Sequence, residues 1–206
     1  MTELEKGPKG RRRGRGARER ILSASQQLFR EQGINRTGMD QLCAEAQVSK
    51  RTAYQHFTGK DELVAEYLRR FDPSVLSGVF DRTDLTPRER LLAAFDIPRA
   101  TPLCPYIAAV VELHDPQHPA SQYARDYKKA VATRLADTAR EAGAADPERL
   151  GEQLALLIDG AAARTRVLDA DAFPTAAAIA SALIDNAIPA TACDDQRREQ
   201  ASGRIS

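Results

Sequence analysis

The stretch that decides the fold is residues 37–63, which read TGMDQLCAEAQVSKRTAYQHFTGKDEL. Apolar side chains recur in it at steps of three and four residues, which predicts a short helix over residues 39–46. The pattern breaks at Gln47, and Ser49 is a suitable cap for a second short helix over residues 50–57. Two short helices joined by a tight turn have the spacing of a helix-turn-helix.

The sequence on both sides of this stretch continues the helical pattern. A first helix is predicted from near Ala17 to Gly33, a C-cap residue, and a longer one begins near Lys60 and stops before Asp72. Alanine, leucine, arginine and glutamate dominate, and no segment alternates as a strand does. The sequence therefore predicts an all-α fold of about nine helices. One of the later helices begins at Thr86-Pro87, and the next three span residues 106–113, 120–142 and 147–168. The last helix runs from Phe173 to Ile188. The segment 106–113 is so apolar that we expect it to be buried on all sides.

Charge is unevenly distributed along the 206 residues. The net charge is only +1, yet residues 1–70 hold 15 Lys and Arg against 9 Asp and Glu, whereas the rest of the chain is net acidic. Such a split indicates that the N-terminal part meets a polyanion, which on charge alone is DNA or RNA. The helix-turn-helix spacing makes double-stranded DNA the expected partner. A solubilising tail is the alternative explanation of the same charges.

The side chains of the second short helix suit contact with DNA. Lys50 and Arg51 stand at its start, where a cation can reach the N7 and O6 atoms of guanine in the major groove. The polar side chains that follow on this helix can contact DNA bases or the DNA backbone. Lys60 supplies a cation at the start of the next helix, where a phosphate can bind. The N-terminal arginines can enter an adjacent minor groove. Ala53 and Phe57 lie four residues apart and should face the core. We predict DNA contacts from Arg11, Arg12, Arg13, Arg15, Lys50, Arg51, Thr52, Tyr54, Gln55, His56 and Lys60.

Other chemistry finds little support in the sequence. His114 and His118 are separated by a proline-broken loop, so we expect no metal site there, and no catalytic residues or cofactor are predicted because phosphate loops and nucleophile motifs are absent. Three scattered cysteines indicate a reducing cytoplasm, and no apolar run is long enough for a membrane span. An enzyme and a DNA-organising protein without sequence preference are the alternative functions.

Residues 37–63 resemble the DNA-binding signature of the TetR family of transcriptional regulators. In that signature a threonine precedes the second helix, the turn reads Ala-Gly-Val-Ser, and the third helix contains Thr-X-Tyr-X-X-Phe before a Lys-Asp/Glu-Glu-Leu sequence. This sequence departs at Gln47, where the family has glycine, and at Gly38, where a hydroxyl residue is usual. If the turn requires positive φ, Gln47 costs about 1 kcal/mol or more. The matching residues are Thr37, Met39, Ala46, Val48, Ser49, Thr52, Tyr54, His56, Phe57, Lys60, Glu62 and Leu63.

The resemblance implies a homodimeric repressor that leaves a pseudo-palindromic operator when a small molecule binds, and it adds Thr37 to the expected DNA contacts. It implies a helix-turn-helix domain over 17–62 and a helical effector-binding and dimerisation domain over 63–190. The polar composition of the two ends predicts a basic disordered arm over residues 1–16 and a disordered tail over 191–206. The last two helices are expected to pair with their copies in a four-helix bundle. Candidate lining residues of the effector pocket are Leu91, Phe95, Tyr106, Val110, Tyr123, Tyr127 and Ile158.

Overall fold

A computed structural model describes residues 10–70, 78–96 and 104–188, and within these ranges the chain is helical without strands. The predicted all-α class is confirmed. No described helix is long and apolar enough to cross a membrane. The described helices are α1 (Gly10–Gln32), α2 (Met39–Glu45), α3 (Lys50–His56), α4 (Lys60–Arg70), α5 (Pro87–Ala93), α6 (Pro105–Leu113), α7 (Pro119–Glu141), α8 (Pro147–Leu168) and α9 (Phe173–Ala187).

Helix boundaries fall where capping chemistry places them. The Thr86 hydroxyl accepts a hydrogen bond from the Glu89 amide while the Glu89 carboxylate accepts one from the Thr86 amide, a capping box at the start of α5. The Asp146 carboxylate caps α8 in front of a proline. Gly33 and Gly143 follow α1 and α7 with φ of 90° and 81°, the left-handed conformation in which glycine is least strained.

Two expectations about helix extent and burial are wrong. Helix α1 begins at Gly10 rather than near Ala17, because arginine is a good helix former and continues the helix through two glycines. Part of the expected disordered arm is therefore helical, while residues 1–9 lie outside the described residues. Helix α6 is not buried on all sides, since Val110 and Val111 are 41% and 63% exposed. The expected tail over 191–206 lies outside the described residues.

The described chain packs into two compact units. Of the described residues, the first unit contains 10–70 together with 105–124, and the second contains 78–96, residue 104 and 125–188. Packing thus groups α4, α6 and the start of α7 with the helix-turn-helix. The predicted division after residue 62 is a statement about function and stays a prediction.

The first unit is built around α1, which contacts α2, α3 and α4. Ile21, Leu22, Leu28 and Phe29 form an apolar face of α1 that is buried. The Phe29 ring meets the Tyr67 ring of α4 edge to face, with ring centroids 5.4 Å apart. Tyr106 of α6 donates a hydrogen bond from its hydroxyl to the Leu68 carbonyl at 2.9 Å, which fixes α6 to α4.

The second unit is a helical core in which α7, α8 and α9 bury continuous apolar faces. Its fully buried side chains include Leu91, Leu135, Leu150, Leu154 and Ile184. At Gly151 the backbones of α7 and α8 come so close that a Cβ atom there would lie 2.7 Å from the Ala136 nitrogen. Arg90 and Arg134 tie the surface of this unit together through Glu141 and Asp81.

Candidate nucleic-acid interface

The turn between α2 and α3 has the conformation that the sequence anticipates. Gln47 adopts φ of 52°, the left-handed region in which a side chain is strained by about 1–2 kcal/mol. Ser49 is the N-cap of α3, and its hydroxyl accepts a hydrogen bond from the Thr52 amide at 3.1 Å. Gly38 is the N-cap of α2 and supplies no side-chain hydrogen bond, as expected from its lack of a hydroxyl. The Arg20 side chain donates to the Ala46 carbonyl at 3.0 Å and holds the end of α2.

Helix α3 is divided into a buried face and an exposed face. Ala53 and Phe57 are 1% and 2% exposed, so the prediction that they face the core is confirmed. The Arg18 guanidinium covers the Phe57 ring, 5.4 Å from its centroid. Tyr54 is 52% exposed, which excludes a role as a core aromatic. The predicted DNA contacts on this helix are therefore accessible, with Lys50, Arg51, Tyr54 and Gln55 exposed and Thr52 and His56 half-buried.

Lys50 forms an ion pair with Asp40 that the sequence did not predict. Its Nζ lies 2.6 Å from Oδ1 of Asp40, in the first turn of α2. The hydrogen bond to Asp40 and the charge of this carboxylate raise the pKa of Lys50. An acidic residue in a first helical turn was the available signal, but its partner depends on how α2 and α3 pack.

Lys60 stands beside the turn that joins α1 to α2. Its Nζ donates to the Asn35 carbonyl at 3.5 Å, a long hydrogen bond that leaves the cation half-exposed. The Asn35 amide donates to the Glu112 carboxylate at 2.8 Å, and the Asn35 side chain donates to the Glu112 carbonyl at 2.7 Å. The end of α6 thus fixes the turn against which Lys60 rests. No local pattern in the sequence indicates this role of Glu112, because Asn35 and Glu112 lie 77 positions apart.

Thr37 has a structural role that differs from the expected DNA contact. It is fully buried, and its hydroxyl donates to the Gly33 carbonyl at 2.7 Å and accepts from the Gln32 side chain at 3.1 Å. A side chain enclosed in this way cannot reach a phosphate, so Thr37 is removed from the candidate interface. It instead closes the turn between α1 and α2.

An ion-pair cluster links α1 to α4. The Glu66 carboxylate pairs with Arg18 of α1 at 2.7 Å and also with Arg69 and Arg70, while Arg70 pairs with Glu19. Burial opposes the charged form of Glu66, but hydrogen bonds and charge from Arg18 and Arg69 outweigh it and lower the pKa of this carboxyl. The cluster holds α1 in the position from which Arg18 covers Phe57.

The remaining predicted site residues are distributed over the chain. Arg11, Arg12, Arg13 and Arg15 fall in the first turns of α1, and their side chains lie outside the described part of the structure. Of the candidate pocket residues, the second unit contains Leu91, Phe95 and Ile158 in its core cluster, with Tyr127 packed against it. Tyr106, Val110 and Tyr123 belong to the first unit. The effector pocket stays a prediction.

The loop between α6 and α7 uses its histidines for backbone contacts. His118 is buried, and its Nδ1 accepts a hydrogen bond from the Ala120 amide at 3.0 Å, which caps α7. His114 closes α6 with φ of 53°. Within the described residues no cluster of metal-ligating side chains is found.

Comparison with known proteins identifies relatives of this arrangement. The family model described as bacterial regulatory proteins, tetR family, matches residues 21–67. A crystal structure of a TetR-type transcriptional regulator from Streptomyces avermitilis is 34% identical, covers 83% of this chain and 97% of its own, and superposes with a TM-score of 0.75. SCO4454 of Streptomyces coelicolor, a TetR-family transcriptional regulator, shares the fold at 24% identity with a TM-score of 0.75, covering 85% of this chain and 97% of its own.

Two named regulators match part of the chain in sequence. The transcriptional activator FasR of Mycolicibacterium smegmatis is 37% identical over 91 residues, which are 43% of this chain and 39% of FasR. The regulator LmrA of Bacillus subtilis is 39% identical over 62 residues, 26% of this chain and 33% of LmrA. The chain therefore matches less than half of the length of these relatives.

Proposed function

The chain belongs to the TetR family of bacterial transcriptional regulators, and from this premise we propose that it binds a pseudo-palindromic operator as a homodimer and represses transcription until a small molecule releases it. The observation that carries the proposal is the exposed face of α3, where Lys50, Arg51, Tyr54 and Gln55 stand opposite the buried Ala53 and Phe57. A helix anchored on one side and lined with donors on the other is suited to the major groove.

Two classes of contact are expected on this surface. Arg51 is exposed in the first turn of α3 and is assigned to a base edge, because a guanidinium can donate two parallel hydrogen bonds to guanine. Lys60 stands at the N-terminus of α4 and is assigned to a phosphate, which contributes to affinity without regard to sequence.

The homodimer is supported by an apolar stripe on the last two long helices of the second unit. Leu156 and Val167 of α8 are 74% and 80% exposed, and Gly160 and Ala163 lie between them at helical spacing on the same face. On α9, Ile179 is 47% exposed. Large exposed apolar side chains on two helices that pack against each other indicate an interface, and a two-fold dimer explains a pseudo-palindromic site.

The experiment on DNA is selection of bound fragments from the genome of the source organism, followed by footprinting of the recovered site. The expected result is protection of two mirrored half-sites. Arg51→Ala should relax discrimination at one position of each half-site by about 1–3 kcal/mol, whereas Lys60→Ala should weaken all sequences equally. Arg149→Ala, at an exposed arginine of the second unit, is the control and should change neither. Equal losses for Arg51→Ala and Lys60→Ala on operator and random DNA would contradict the assignment.

The experiment on assembly is sedimentation of Leu156→Arg. A charge placed in the stripe should convert the dimer to monomer, while Val111→Arg, at a 63% exposed apolar residue of the first unit, should leave the dimer intact. A wild-type monomer, or a dimeric Leu156→Arg variant, would refute this interface.

The direction of regulation is tested by transcription in vitro from the promoter next to the recovered site. If the protein is a repressor, fewer transcripts should form as the protein is added. Small molecules that the adjacent gene products process should then restore transcription. The name of FasR, a transcriptional activator, makes activation the second candidate. A rise in transcripts on addition of the protein would establish that alternative.

The effector is expected to bind in the core of the second unit, near Phe95, Tyr127 and Ile158.

A further inference from the structure

The ion pair between Asp40 and Lys50 lies within the proposed DNA surface. Asp40 is the second residue of α2 and Lys50 is the first residue of α3, so the pair bridges the two helices of the motif. Their side chains are 75% and 63% exposed, which leaves both of them accessible to a molecule that approaches from solvent. Lys50 is thus accessible to DNA and already bound to an internal anion.

The effect of this ion pair on DNA binding depends on its strength relative to a phosphate contact. A cation that contacts one phosphate contributes about 0.9 to the slope of log affinity against log salt, which corresponds to roughly a fivefold gain in affinity at 0.15 M salt. An exposed ion pair stabilises its partners by at most a comparable factor, about fivefold. A phosphate contact made by Lys50 on random DNA and the ion pair with Asp40 would therefore be of similar strength. The affinity gained from the phosphate is offset by the loss of the ion pair.

We propose that Asp40 is an autoinhibitory residue of the DNA interface, whose carboxylate takes the place of a DNA phosphate oxygen on Lys50 and so lowers the affinity of the protein for all DNA. The inference rests on the proposed function and adds a determinant of its strength. The pair must open in every complex in which Lys50 contacts DNA, so the effect applies to operator and random sequence alike.

The direct test is Asp40→Asn, measured by titration with a random 30-base-pair duplex and with the selected operator over a range of salt. On random DNA at 0.15 M salt we expect a three- to fivefold gain in affinity and a salt slope steeper by up to about 0.9. The matched control is Glu45→Gln, which removes an exposed carboxylate from the other end of α2 and changes the net charge equally. The control reports the effect of net charge and should give a smaller gain.

A double-mutant cycle isolates the role of Lys50. Lys50→Met in the native background should weaken random DNA binding by about twofold or less, because Asp40 already engages the cation. In the Asp40→Asn background the same change should cost about fivefold and return the slope to its native value. Thermal unfolding of each variant checks that these surface substitutions leave the fold intact.

Each outcome separates this inference from the proposed function. If the native protein selects no DNA sequence, the proposed function fails. If it selects a site but the gain of Asp40→Asn equals that of Glu45→Gln, or persists when Lys50 is methionine, Asp40 acts through net charge alone and the autoinhibitory role is refuted.

Discussion

Gly151→Ala tests the close approach of α7 and α8 in the core of the second unit. A Cβ atom at this buried position would lie 2.7 Å from the Ala136 nitrogen, 2.8 Å from the Ala132 oxygen and 2.9 Å from the Ala136 Cβ. Nonbonded carbon contacts are most favourable at about 3.5–4.0 Å, so the two helices must separate by roughly 0.8 Å or more. The first two atoms belong to the backbone and cannot rotate away, so the whole helix must move.

The expected change in the free energy of unfolding is the difference between two effects. Overpacking costs about 1–3 kcal/mol, and the rigid contact at Gly151 places it at the upper end. Alanine in place of glycine within a helix returns about 1 kcal/mol. The net destabilisation is therefore about 2 kcal/mol, or a melting temperature lower by roughly 4–8 °C for a chain of this size.

The assay is urea and thermal unfolding followed by circular dichroism at a fixed protein concentration. Gly16→Ala in α1 is the control, since its Cβ would meet only the far end of the Arg20 side chain at 3.6 Å, and it should stabilise by up to about 1 kcal/mol. Adding Ala136→Gly to Gly151→Ala should not restore stability, because the backbone contacts remain. A Gly151→Ala protein as stable as the native one would refute the reasoning, and so would rescue by Ala136→Gly.

Three further predictions concern the first unit. Gln47→Gly should raise the free energy of unfolding by about 0.5–1 kcal/mol in urea titrations, because glycine adopts φ of 52° without strain, and a loss of stability would contradict this. Glu66→Gln should destabilise by about 1–3 kcal/mol at pH 7, after allowance for its partly exposed arginine partners. Since folding lowers the pKa of Glu66, its contribution is present above the pKa of the unfolded chain, near 4.3, and is lost as pH falls through the lower folded value. The difference in the free energy of unfolding between the native protein and Glu66→Gln should therefore become smaller below about pH 4. A difference that does not change with pH would exclude the ion pairs of Glu66 as its cause. Glu112→Gln should weaken the hold on Asn35, cost about 1 kcal/mol of stability and reduce DNA affinity in a gel-shift titration, whereas unchanged affinity would show that the turn is held by other contacts.

The sequence by itself determined the features that depend on residues a few positions apart. Helix starts at Lys50, Pro87 and Pro147 agree with their capping residues, and the burial of Ala53 and Phe57 follows from four-residue spacing. Glutamine at position 47, where the family signature has glycine, marked the residue at which a positive φ would strain the turn, and its φ of 52° meets that condition. Local backbone geometry sets these features, so they can be predicted from the sequence.

Only the tertiary structure decided which distant groups meet. It buried Thr37, joined Lys50 to Asp40, placed Glu112 against Asn35 and brought Gly151 onto the backbone of α7. Such contacts depend on how whole helices pack, which is set by the summed burial of many side chains, and no local pattern specifies which carboxylate a lysine will reach.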